Sequence, residues 1–391
     1  MKTTVAAIAH SAMVSGFSLA LLIATTEPAQ SQVEPAISEK VLYSFGSSMD
    51  GVSPQSTLIR DSKGNLYGTT SVGGTSGVGT IFQLTPGGTE RHYSFTGGAD
   101  GANPSGPLVR DAQGNLYGTA TNGATYGTAF ELTRTGKLKV LHSFVGGVAD
   151  GSLPLGGMVR DSQGNLYGAT KGGGLNNWGI VFKIAPDGTE SILHSFDEFS
   201  EGGQPLAGLI LDAQGNLYGT AWIGGLNGGG TVFEVSLNGM LTVLFSFGGF
   251  ANDGSEPMGP LVRDGQGNLY GTTVVGGTGG GGIVFKVTPT GTETILHNFT
   301  AITDGVHPIG GLLRDSKGNL YGMTPGGGQA GKGVVFRVTP GGNESVIYNF
   351  AGIPDGAAPY AGLLPDGKGG AYGTTSGGGA NQNGSVFQLG P

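Results

Sequence analysis

Two tryptophans, Trp178 and Trp222, and one tyrosine, Tyr126, stand in short Gly- and Asn-rich segments with Lys171, Asn176 and Asn177 beside them. A flat ring can stack on a sugar or peptide while amides and an ammonium hydrogen-bond its edges, so these six residues are the candidates for ligand binding. The bland use of the same rings is to cover the glycine-rich chain around them.

A second set is acidic. Asp50, Asp100, Asp150, Glu201, Asp253, Asp304 and Asp355 are each followed by Gly and, four residues on, by Pro. Seven carboxylates at one mouth could gather cations. The same spacing also suits a tight turn, with the acid as cap, Gly for unusual backbone angles and Pro fixing the next segment. Identical use seven times favours the turn, and one carboxylate per segment falls short of the 6–8 oxygens of a Ca²⁺ site.

The remaining chemistry is sparse. His142, His194 and His297 occupy a place where other units carry Tyr43, Tyr93, Phe245 and Tyr348, so the position takes a ring. His92 and His307 have no partner at ligand spacing. Arg60, Arg110, Arg160, Arg263 and Arg314 each precede an Asp and are expected to pair locally with a carboxylate. Gly277-x-Gly279-x-x-Gly282 leads into a strand-like run rather than a helix, so it is no dinucleotide fingerprint. With no Cys, no His cluster and no Gly-x-Ser-x-Gly elbow, neither a metal, a cofactor nor a catalytic residue is expected. The formal charge of −8 and the lack of a basic run exclude nucleic acid as a partner.

What positions these residues is a repeat. Leu-Tyr-Gly recurs with its tyrosine at 67, 117, 167, 218, 270 and 321, and Ala-Tyr-Gly supplies Tyr372. The 81 Gly and 19 Pro among 391 residues, about twice average usage, fall within this period. Each unit has four short runs of alternating β-branched and aromatic residues bounded by Gly, Asn or Pro, which is the signature of strands. Asp61, Asp111, Asp161, Asp212, Asp264, Asp315 and Asp366 each precede a Gly by three residues, a hairpin turn between the first two strands. Phe recurs in the third strand (82, 130, 182, 233, 285, 336, 387) and at the end of the fourth (45, 95, 144, 196, 247, 299, 350). One small sheet cannot bury these rings, so successive sheets must stack.

The ends of the chain select a ring. The run VLYSF (41–45) is of the fourth type, and the final GSVFQL (384–389) is of the third. If the former completes the last sheet, a seven-bladed all-β propeller with four strands per blade closes over 41–391 without an open edge. In that ring the variable loops and the acidic linkers share one face. Residues 1–31 read as a signal peptide and 32–40 as a short linker, because the apolar run 14–24 is followed by the small-residue site Ala29-Gln30-Ser31. An exported monomer, without a membrane span after cleavage, is expected.

The pattern Leu-x-x-Asp-x-x-Gly-Asn-Leu-Tyr-Gly-Thr, followed by Gly-Gly and by Thr, Ile or Val before Phe, resembles the GloVer tandem repeat, and is similar to two-component-regulator and NHL-type propeller blades. The resemblance covers the whole chain after the signal and implies an exported bacterial repeat protein; it brings no catalytic residues. The family's frequent C-terminal anchor has no counterpart here, so no attachment by that route is expected. Three uses follow: a non-catalytic module binding a glycan or a surface protein through the loop face, a lactone- or polysaccharide-cleaving hydrolase or lyase with Glu198, Glu201 or Glu256 as acid or base, and a structural envelope protein.

Overall fold

The computed structural model describes residues 37–46, 49–250, 252–300 and 303–390. The segment read as a signal peptide lies outside them. Seven antiparallel blade sheets follow one another along the chain, six of four strands and the first of five, because Val52–Pro54 also pairs with its second strand. In the third blade the strands are Val159–Arg160, Leu166–Thr170, Ile180–Ile184 and Glu190–Ser195, from the inside out.

The last blade holds Leu364–Pro365, Ala371–Thr375 and Ser385–Gly390, and its outer place is filled by the N-terminal strand Ser38–Ser44. Val41 pairs with Phe387 and Ser44 with Ser385, so the ring is closed as the strand types require. The closing strand starts at Ser38, inside the expected linker.

Leu-Tyr-Gly has a packing reason. In the third blade Gly168 lies opposite Phe182, and a Cβ on Gly168 would come within 2.5 Å of the Phe182 ring. The ring therefore occupies the space glycine leaves, and the same contact recurs in every blade. Each third-strand Phe then meets the outer Phe of the preceding blade: Phe45 with Phe82 at 5.2 Å, Phe144 with Phe182 at 5.1 Å, Phe350 with Phe387 at 5.2 Å. Edge-to-face pairs of this kind add roughly 0.5–1.5 kcal/mol each beyond burial. All seven junctions carry such a pair, edge-to-face in six and tilted at Phe247–Phe285.

The hairpins are built by Asp. In the first blade Asp61 accepts the backbone N–H of Lys63 and Asn65, the Asn65 amide and the Tyr67 hydroxyl. Burial works to raise the Asp61 pKa, but these four donors outweigh it and hold the carboxyl low. The last blade has Gly370 in place of Asn, and there Asp366 accepts from Gln388 instead.

The arginines depart from expectation. Arg60, Arg160, Arg263 and Arg314 lie over the tyrosine ring of the preceding blade (Tyr372, Tyr117, Tyr218 and Tyr270), at 5.3–5.7 Å from its centre. The neighbouring blade thus offers these guanidinium groups an aromatic face, and Arg263 also has the Asp212 carboxylate at 4.0 Å. Among the described residues, Arg110 has no such ring contact.

Candidate functional site

Strand direction alternates within each blade, so the loops between second and third strands and the linkers between blades emerge at one face. The hairpin turns emerge at the other.

On the loop face the seven acids are held inside their own linkers. Asp150 accepts the N–H of Val145 at 2.7 Å and of Gly151 at 2.7 Å, and Glu201 accepts that of Asp197 at 3.1 Å. Asp50, Asp100, Asp253, Asp304 and Asp355 likewise accept the N–H of a residue four or five earlier. The ring position of the outer strand completes the motif: Tyr43 and Tyr93 donate to Asp50 and Asp100, His142 and His194 bond Asp150 and Glu201, and His297 lies 3.4 Å from Asp304. Burial opposes charge on His142, yet the Asp150 bond and charge raise its pKa. The glycine after the acid takes positive φ at Gly51, Gly101, Gly202 and Gly305 only. Gly151, Gly254 and Gly356 are needed for space, since a Cβ on each would strike Thr170, Thr273 or Thr375.

Among the described residues, one set of side chains has donors suited to a cation: His142, Asp150 and the Glu190 carboxylate of the next blade converge within 4.8 Å. Three protein donors are one short of a closed tetrahedral site.

A recurrent feature escaped sequence reasoning. The residue before each linker proline is left-handed: Ser53, Asn103, Leu153, Gln204, Glu256, His307 and Ala358 have φ of 52–62°. This costs of order 1–3 kcal/mol each. Two backbone bonds hold it. Gln204 donates its N–H to the Trp178 carbonyl of the preceding blade at 2.7 Å and accepts from Trp222 N–H at 3.3 Å. The corresponding bond to the preceding blade is made at all seven linkers.

These bonds bring blades three, four and five together at their variable positions. The Lys171 ammonium lies 5.6 Å from the centre of the Trp222 indole, and Trp222 Nε1 donates to Glu256 Oε2 at 3.1 Å. Lys171 and Trp222 hold the same repeat position, which is Ser71, Thr121, Val274, Pro325 or Ser376 elsewhere. The cluster therefore occurs once. The Oε1 of Gln204 is buried without a protein partner.

The other candidates separate from it. Trp178 is half-buried, packed on the core between blades three and four and against Gly203. Tyr126 is 49 % exposed, its ring over Gly146. Asn177 caps its own loop, accepting from Gly173 N–H at 2.9 Å, while the exposed Asn176 amide reaches the Phe196 carbonyl at 3.5 Å. Two exposed aromatics were missed: Phe199 and Phe250, on the linkers entering blades four and five, are 83 % and 76 % exposed. Their signal was in the sequence, since neither holds a repeat position of Phe.

The Gloeobacter/Verrucomicrobia repeat matches the chain over residues 31–160, 124–314 and 291–391. No curated protein is detectably similar in sequence. Among solved structures, virginiamycin B lyase from Staphylococcus aureus is similar with a TM-score of 0.60 and 14 % identity, over 90 % of this chain and 98 % of the lyase. A gluconolactonase from Xanthomonas campestris has a TM-score of 0.41 and 15 % identity over 71 % and 82 %. A protein of unknown function from Dyadobacter fermentans has 0.47 and 12 % over 91 % and 99 %. At such identity the likeness to the lyase establishes a shared propeller fold and nothing of its chemistry.

Proposed function

The chain belongs to the Gloeobacter/Verrucomicrobia repeat family, and from that premise we propose that it is an exported, non-catalytic binding propeller whose loop face over blades three to five takes a carbohydrate. The observation that carries this is the line Lys171, Trp222, Glu256 across three consecutive blades. An indole pinned at its edge by a carboxylate and flanked by an ammonium is pre-organised, so little freedom is lost when a sugar ring stacks on it. Lys171 offers donors, and the Glu256 carboxylate offers acceptors, for hydroxyl groups around the stack. The exposed Phe199 and Phe250 add apolar surface in the same sector.

Calorimetric titration of neutral oligosaccharides into the full chain tests the reading. Saturable binding weakened about tenfold or more by Trp222→Ala, which corresponds to roughly 1.4 kcal/mol, supports it. Binding indifferent to Trp222→Ala and Glu256→Gln overturns it. Cleavage of a lactone or polysaccharide that is lost in Glu256→Gln would replace it with the hydrolase or lyase reading.

A further inference from the structure

On the opposite face, where the hairpin turns emerge, a groove of about 580 Å³ separates blades one and two. Its size is that of a small-molecule site. Lys63, Arg91, Arg110 and Arg134 line it, with Asp61 the one carboxylate among its lining residues. Both Asp61 oxygens are already taken by the hairpin bonds. Among the described residues, no carboxylate lies within 4.0 Å of any of the four cations. The groove of about 570 Å³ between blades three and four has the same architecture but balances Arg160 and Lys183 against Asp161 and Asp212. Four positive charges facing one negative, in a chain of net charge −8, is a local reversal of sign.

The reversal comes from places where these blades leave the repeat. In six blades the outer strand carries a register shift, as at Val181/Phe182, with an aliphatic pair such as Ile192 and Leu193. The first blade lacks the extra residue: Phe82 pairs directly with His92, and Gln83 with Arg91. Tyr67, Gln83 and Arg91 therefore form one cross-strand row, with the Gln83 amide donating to the Tyr67 hydroxyl at 3.2 Å. Arg134 replaces the proline found in the corresponding turn at 86, 186, 289 and 340. Four like charges brought into one groove against a single carboxylate repel, and an anion would relieve that repulsion.

We propose that the groove between blades one and two binds a small ligand bearing two or more closely spaced anionic oxygen groups, whether carboxylate, sulfate or phosphate. Guanidinium forks match such groups in a bidentate manner, and Lys63 adds a point charge.

The test titrates citrate, pyrophosphate and a sulfated disaccharide into the full chain at low ionic strength and at about 0.15 M salt. Arg91→Ser and Arg134→Pro introduce residue types that other blades carry at these places, at Ser191 and Pro186, so the fold is kept, as an unchanged unfolding midpoint verifies. At least one probe is expected to saturate one site, with affinity falling about tenfold per guanidinium removed and with rising salt. Lys183→Gln, in the balanced groove, is expected to change nothing. The ranking of the three probes identifies the anion. No probe binding below about 1 mM, or equal affinity in Arg91→Ser, Arg134→Pro and the parent, overturns the proposal.

Discussion

Gly179, at the end of a loop in blade three, lies against Pro205, at the entry to blade four: a Cβ on Gly179 would stand 2.9 Å from Pro205 Cδ and 2.3 Å from the Thr170 carbonyl oxygen. The residue before the glycine, Trp178, accepts the Gln204 N–H, so backbone and side chain of the linker are both seated on this loop. Gly179 also has φ of +98°. Gly179→Ala is therefore expected to cost about 3 kcal/mol or more, because fixed backbone cannot give way. Gly88→Ala, at φ of +81° with open space around it, is expected to cost only about 1 kcal/mol of backbone strain. Urea unfolding of the two variants measures the difference; equal losses would show that crowding at the junction is unimportant.

Ring closure makes Phe45 equivalent to an internal junction residue. It is fully buried and meets Phe82 edge-on, as Phe196 meets Phe233. Phe45→Ala and Phe196→Ala are each expected to destabilise by about 3–5 kcal/mol. A loss at Phe45 several-fold smaller than at Phe196 would mean that the N-terminal strand frays from the last blade in solution.

The hairpin tyrosines differ in one blade. Tyr117 donates to Asp111 at 3.0 Å, whereas in the last blade Asp366 takes its side-chain bond from Gln388. Tyr117→Phe is expected to cost about 1 kcal/mol and Tyr372→Phe close to nothing. Thermal unfolding resolves the pair; identical shifts would remove the Asp–Tyr bond from the account of the turn.

Stability is expected to fall as pH rises through neutrality. Burial raises the pKa of Glu39, Glu293 and Glu344 to about 7, and the charges of Asp355, Asp253 and Asp304 push the same way. Each has a buried Oε1 without a hydrogen-bond partner. Their folded pKa lies above the unfolded value, so the folded state holds the extra proton. The stabilisation is complete below the unfolded pKa and is lost through about pH 7. His142, also raised, acts in the same direction, and His297, held low by burial, acts against it. Glu293→Gln isolates the carboxyl part: it should flatten the decline of the urea midpoint between about pH 5 and about pH 8. A midpoint that is flat or rising over that range in the parent chain would contradict the assignment.

The sequence by itself determined the period, the four strands of each unit, the Asp-built hairpins, and the closure of the ring by a strand of the fourth type. These follow from interactions within a few residues, such as Asp61 with Asn65 and Tyr67, or from the periodicity of phenylalanines that need a second sheet to be buried. The linker acids were equally legible, because each bonds an N–H only four or five positions earlier. Tertiary structure alone decided what meets across the blades. Gln204 joins Trp178 to Trp222, Glu256 reaches Trp222 from 34 positions away, Arg160 finds the ring of Tyr117, and Arg91 shares a groove with Arg134. None of these pairings has a spacing of its own in the chain. Each depends on the lateral register of one blade on the next, which the phenylalanine pairs and the left-handed linker residues set, so the repeat predicts the scaffold while the candidate sites arise where unequal residues are brought to equivalent places.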